Sequence, residues 1–186
     1  DSTNQGGFVP LLSQSLTNET GLEFKAINYG VAGNTSSQIL TRMQEKKEIR
    51  KDLKQAQLLT ITVGGNDLRK AILEDTSNLD LDRFDKPSKT YVKNLKQIIE
   101  LARKDNPDLP IYVVGIYNPL YLNFPDLTEL QTLVDQWNQR TEDTLSAYQG
   151  VYFVPINDLL YKGIDVKSGV TERESGNETV TNDALY

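Results

Sequence analysis

The chain has 186 residues, 38% of them hydrophobic and 25% charged, with no cysteine and no histidine. That length suits one α/β domain with a sizeable core, 1–186. A formal charge of −6 argues against nucleic-acid or anionic-membrane binding, because phosphate neutralisation needs clustered Lys and Arg. Disulfides and thiolate sites are excluded, any metal would need an all-oxygen site, and no cofactor is expected.

Phe8, Leu11, Leu12 and Leu16 repeat at helical spacing. Residues 22–27 form a strand-like run that ends in Asn28-Tyr29-Gly30-Val31-Ala32-Gly33-Asn34-Thr35-Ser36. Basic residues between 42 and 54 alternate with Glu45, Glu48 and Asp52, the pattern of a solvated helix face. A second strand-like run, 58–63, leads into Gly64-Gly65-Asn66-Asp67. Alone, that turn reads equally as a helix start with Asn66 or Asp67 as N-cap.

Asn78, Asp80 and Asp82 open like a calcium loop, but Arg83 stands where the glycine belongs and Lys89 where the bidentate glutamate belongs. A surface loop is expected. Val92, Leu95, Ile98, Ile99 and Ala102 make a strong helical stripe, stopping at Asn106-Pro107 because the residue before proline resists the α region. A third strand-like run, 111–116, precedes Asn118-Pro119. Leu127, Leu130, Val134, Trp137 and Leu145 form another core stripe, with Asn138 and Thr141 near the same face, and 151–154 is the last strand-like run. Residues 162–181, rich in Gly, Ser, Thr and Asn, read as a loop. No run is long and apolar enough to span a membrane, and no signal peptide is visible.

Four strand-like runs alternating with helical patterns predict a parallel sheet covered by helices. Two glycine-and-asparagine turns, each after a strand, put backbone N–H groups and a carboxamide at one sheet edge, where open α/β folds bind ligands. Gly33 in the first turn and Asn66 in the second, in this order and spacing, resemble the central blocks of the SGNH hydrolase family (GDSL esterases and lipases). The resemblance spans residues 8–157. It implies a three-layer, flavodoxin-like parallel sheet with helices on both faces and the strand order 2-1-3-4-5. It also implies that the Gly33 N–H and the Asn66 carboxamide form an oxyanion hole. Asn34 and Asn118 either line the acyl or leaving-group pocket or serve as turn residues.

The family also carries a serine nucleophile in Gly-Asp-Ser and an Asp-x-x-His pair near its C-terminus. No histidine is present here, and no Ser-x-x-Lys replaces it. Asp1-Ser2 resembles the end of the first motif, yet no apolar run precedes it. Phe8 fits the family's aromatic that follows the nucleophile by roughly a dozen positions, which puts the nucleophile upstream of Asp1. Residues 182–186 resemble the approach to Asp-x-x-His. The expectation is a chain trimmed at both ends, lacking the family's first strand and leaving an empty slot between residues 22–27 and 58–63. The compartment stays open, since an N-terminal signal or anchor would have been trimmed with that strand.

Three functions follow. One is a serine esterase or lipase-like acylhydrolase acting on a small-molecule or lipid ester through an acyl-enzyme, its Ser and Asp-x-x-His outside these residues. Another is a catalytically inactive SGNH-fold module binding an acylated or glycan ligand. The last is an unrelated flavodoxin-like domain, which a phosphate or flavin bound at Gly64 to Asn66 would select.

Overall fold

The computed structural model describes residues 7–77, 79–119 and 128–162, and the chain divides into the units Asp1–Asn34 and Thr35–Tyr186. In the first unit the Phe8–Leu16 periodicity produces α1 (Phe8–Thr20), none of whose residues is fully buried. The helix stops at Gly21, whose φ of +70° lets its N–H return to the Thr17 carbonyl at 2.9 Å.

The strand expected over residues 22–27 does not form. An extended segment becomes a strand only when a neighbour supplies a ladder for its peptide groups. Here hydroxyls of α1 take that part at Phe24: its N–H donates to Thr17 Oγ1 (3.1 Å), and its carbonyl accepts from Ser13 Oγ (2.6 Å).

In the second unit three strands, β1 (Leu59–Thr62), β2 (Ile111–Val114) and β3 (Val151–Val154), lie parallel in that order. Leu59 pairs with Ile111 and Ile111 with Val151, so all three strands end at one edge. Pleating sends Ile61, Ile111, Val113 and Val151 into the core. Tyr112 and Tyr152 point the other way, remain exposed, and stack across the β2–β3 pair with centroids 5.0 Å apart.

Helix α5 (Asp85–Arg103) is the central support and packs against α2 (Ser36–Glu45), α3 (Lys47–Gln55), α4 (Gly65–Glu74) and α6 (Thr128–Leu145). Its stripe of Leu95, Ile98, Ile99 and Ala102 is buried as the spacing predicts, with Val92 only partly so. Each such aliphatic side chain is worth roughly 1.5–3 kcal/mol of transfer free energy. Leu130, Val134, Trp137 and Leu145 of α6 are buried as well; Leu127 lies outside the described residues.

Some boundaries differ from expectation. The basic stretch is two helices meeting at Lys46, with Met43, Ile49 and Leu53 buried beneath the charged face. Helix α5 ends at Arg103, before Asn106, and the Arg103 guanidinium binds the carbonyls of Leu109 (2.8 Å) and Gln149 (2.7 Å). The acidic segment forms a short 3-10 turn, Leu81–Phe84, with Phe84 buried; Asn78 is outside the described residues. A last helix, α7 (Asn157–Lys162), follows β3. Ser2, residues 163–181 and residues 182–186 are also outside the described part. Among the described residues no helix is long and apolar enough to cross a membrane.

Candidate active site

Each parallel strand runs at its C-terminal end into a segment carrying an asparagine: Asn66 after β1, Asn118 after β2 and Asn157 after β3. The first turn is the most constrained. Gly64 has φ +105°, a conformation L side chains rarely adopt, and an added Cβ would stand 3.0 Å from Trp137 Nε1 and from the Tyr91 ring. Glycine is therefore required twice over. Tyr91 and Trp137 stack behind it at 5.3 Å, and the Tyr91 hydroxyl pairs with Thr141 Oγ1 at 2.9 Å. Burial pushes the Tyr91 hydroxyl above the usual tyrosine range.

Gly64, not Asn66 or Asp67, is the N-cap of α4, a residue with no side chain to contribute a cap bond. Asn66 therefore lies within the helix's first turn, half-buried. Asp67 reaches out of α4 to α2: Oδ2 accepts the Ser36 N–H at 2.8 Å and Oδ1 accepts the Ser36 hydroxyl at 2.5 Å. Burial holds the Asp67 carboxyl above the usual range, with the two Ser36 bonds pulling against it. Asn94 of α5 completes the group, donating Nδ2 to Ser36 Oγ and to Ser37 Oγ, each at 2.9 Å.

The turn after β2 is built by α6. Asn138 grips both backbone groups of Ile116: Oδ1 accepts the N–H and Nδ2 donates to the carbonyl, each at 2.8 Å. Asn118 is buried, with its N–H donating to Asn157 Oδ1 (3.0 Å) and its Nδ2 to Gln131 Oε1 (3.4 Å). Asn157 in turn donates to Asp135 Oδ1 at 3.3 Å. These bonds tie the ends of β2 and β3 to α6.

Gly33 and Asn34 belong to the first unit. Gly33 is exposed, with φ +80° and nothing within 4 Å of an added Cβ, so backbone conformation alone calls for glycine. The Asn34 N–H closes the turn onto the Val31 carbonyl at 3.3 Å.

Sequence reading passed over Ser36, Asn94 and Asn157, and took Asn138 only as a neighbour of the core stripe. One signal was available: Thr35-Ser36-Ser37-Gln38 has capping-box spacing, and Gln38 Oε1 does accept the Thr35 N–H at 2.9 Å. Nothing in the order of residues pairs Asp67 with Ser36 or Asn138 with Ile116; those are contacts between elements distant in the chain. Among the described residues no group of acidic side chains is arranged to hold a metal ion.

Among known proteins, residues 1–170 match the GDSL-like lipase/acylhydrolase family. A relative in Bacillus subtilis (strain 168), the uncharacterized protein YpmR, is 29% identical over 169 residues, covering 90% of this chain. The chain spans 66% of that relative's length. The crystal structure of the lipase Lip_vut3, from a goat rumen metagenome, matches with a TM-score of 0.71 and 22% identity, over 84% of this chain and 74% of that one. At that identity the likeness speaks to the fold. The family match takes in every described element from α1 to α7, and the chain belongs to the GDSL-like lipase/acylhydrolase family.

Proposed function

We propose that the protein is a serine acylhydrolase that cleaves a carboxylic ester, of a small molecule or a lipid, through an acyl-enzyme. The Gly33 N–H and the Asn66 side-chain amide are the oxyanion donors, and the nucleophilic serine and the Asp-x-x-His base are supplied from outside residues 1–186. Asn34 and Asn118 are assigned to the rim of the substrate pocket. The observation that carries the reading is family membership over residues 1–170. It is supported by the glycine-launched turn that holds Asn66 at the C-terminal end of β1 and by the left-handed Gly33 turn.

The chemistry asks for little more of this part of the chain. As serine attacks, the ester carbonyl oxygen takes on negative charge, and donors already aimed at it stabilise that charge without reorganising. A glycine N–H can approach closely for want of a Cβ. A neutral carboxamide donates without disturbing neighbouring pKa values. Collapse of the tetrahedral adduct expels the alcohol and leaves the acyl group on serine; water then repeats the sequence, with the base carrying the proton each time.

Asn66→Ala in the full-length protein tests the assignment. Losing one oxyanion donor should lower kcat by about 10²-fold with a smaller change in KM. Asn66 lies in the first turn of α4, so the melting temperature is recorded alongside to separate a loss of rate from a loss of stability. A folded variant with unchanged kcat would remove Asn66 from the mechanism. The competing reading is a catalytically inactive module that binds a ligand. A full-length protein that binds acylated or glycan ligands and hydrolyses no ester would establish it.

A further inference from the structure

The buried group formed by Ser36, Asp67 and Asn94 has a consequence for Asn66. Ser36 is the first residue of α2 and is fully inaccessible to solvent, at 0% exposure. Its N–H and its hydroxyl both donate to Asp67, at 2.8 and 2.5 Å. Asn94 Nδ2 donates to the same hydroxyl at 2.9 Å. The order of donors is therefore set: Asn94 donates to Ser36 Oγ, the Ser36 hydroxyl donates to Asp67, and the carboxylate accepts both Ser36 donors. An ionised carboxylate is acceptor-only at both oxygens, the complement of one residue's two donors, and charge-assisted bonds of this kind are about twice as strong as neutral ones.

The first turn of a helix is where unpaired N–H groups and fraying concentrate, and the N-cap of α4, Gly64, has no side chain with which to cap it. Asp67 ties that turn to α2, and α5 holds α2 through Asn94. Asn66 is the residue immediately before Asp67, one Cα–Cα step away. We infer that Asp67 is a positioning residue: by locking the first turn of α4 to the buried start of α2, it sets where the Asn66 carboxamide sits. The inference rests on the reading of Asn66 as an oxyanion donor, whose placement matters to within about 0.5 Å.

The test is a double-mutant cycle in the full-length protein, with Asp67→Asn, Asn66→Ala and the pair, assayed on an activated short-chain ester with melting temperatures recorded. Asparagine at 67 keeps an acceptor for the Ser36 N–H but turns an NH2 group toward a hydroxyl that already receives Asn94. The expected result is a fall in kcat of about tenfold with KM nearly constant, and no further fall when Asp67→Asn is added to Asn66→Ala. Equal slowing by Asp67→Asn with and without Asn66 would overturn the positioning role while leaving the oxyanion reading intact. So would a folded Asp67→Asn protein of unchanged kcat. An unchanged kcat in Asn66→Ala would defeat the oxyanion reading itself, and the positioning role with it. Should Asp67→Asn not fold, Ser36→Ala, which deletes the hydroxyl and keeps the N–H, takes its place in the cycle under the same criteria.

Discussion

Gly64→Ala should unfold the start of α4 at a cost that can be worked from the structure. A residue held outside the common backbone regions costs about 1–3 kcal/mol, and Gly64 sits at φ +105°. The new methyl would meet Trp137 Nε1 and the Tyr91 ring at 3.0 Å, an overpacking that costs about 1–3 kcal/mol more. Neither ring has room to retreat, since Tyr91 is 1% and Trp137 2% exposed and they stack on each other. The sum, about 2–6 kcal/mol, is a large part of a typical domain stability of about 5–15 kcal/mol. Urea unfolding followed by fluorescence reads this directly, because Trp137 is the only tryptophan. The variant should show a lower midpoint at an unchanged m-value and altered native emission. Gly65→Ala is the control: its methyl would lie 3.6 Å from Ile116 Cγ2, an ordinary contact, and it should be tolerated. Equal costs at the two glycines, or an unmoved midpoint for Gly64→Ala, would mean that the turn before α4 accepts a side chain at Gly64.

Two further outcomes are expected. Asp85 is held below the usual carboxylate range by its bonds to Lys89 and then Arg140; a lowered folded pKa adds stability above the unfolded value and loses it as pH falls through the folded one. The melting-temperature gap between wild type and Asp85→Asn should therefore be open at neutral pH and close in acid, and a gap constant across pH would contradict this. Residues 1–186 expressed alone, with no histidine to activate a serine, should not hydrolyse an activated ester; turnover that disappears in Ser2→Ala would overturn the placement of the nucleophile upstream.

Periodicity exposed most of this architecture before any coordinates. The β1, β2 and β3 runs are short, apolar and rich in β-branched residues, and the α5 and α6 stripes recur at helical spacing, so local pattern and tertiary environment agree. Residues 22–27 carry a weaker signal, with Glu23 and Lys25 set between apolar residues and Ile27 the single β-branched one, and they form no strand: strand formation depends on a neighbour that local sequence does not encode. The turns divide in the same way. Gly33 and Gly64 stand out in the sequence as parts of glycine-and-asparagine turns, but the steric demand at Gly64 comes from Tyr91 and Trp137, each distant in sequence. The polar supports were least visible. Ser36 and Asn94 resemble surface residues until α2, α4 and α5 converge and bury them.

Ester cleavage through an acyl-enzyme can be followed by rapid mixing of the full-length protein with a p-nitrophenyl ester. The expected result is a burst of p-nitrophenol approaching one per enzyme, followed by slower turnover, with the acyl group recovered on a serine. A folded full-length protein that gives neither burst nor steady turnover would contradict it.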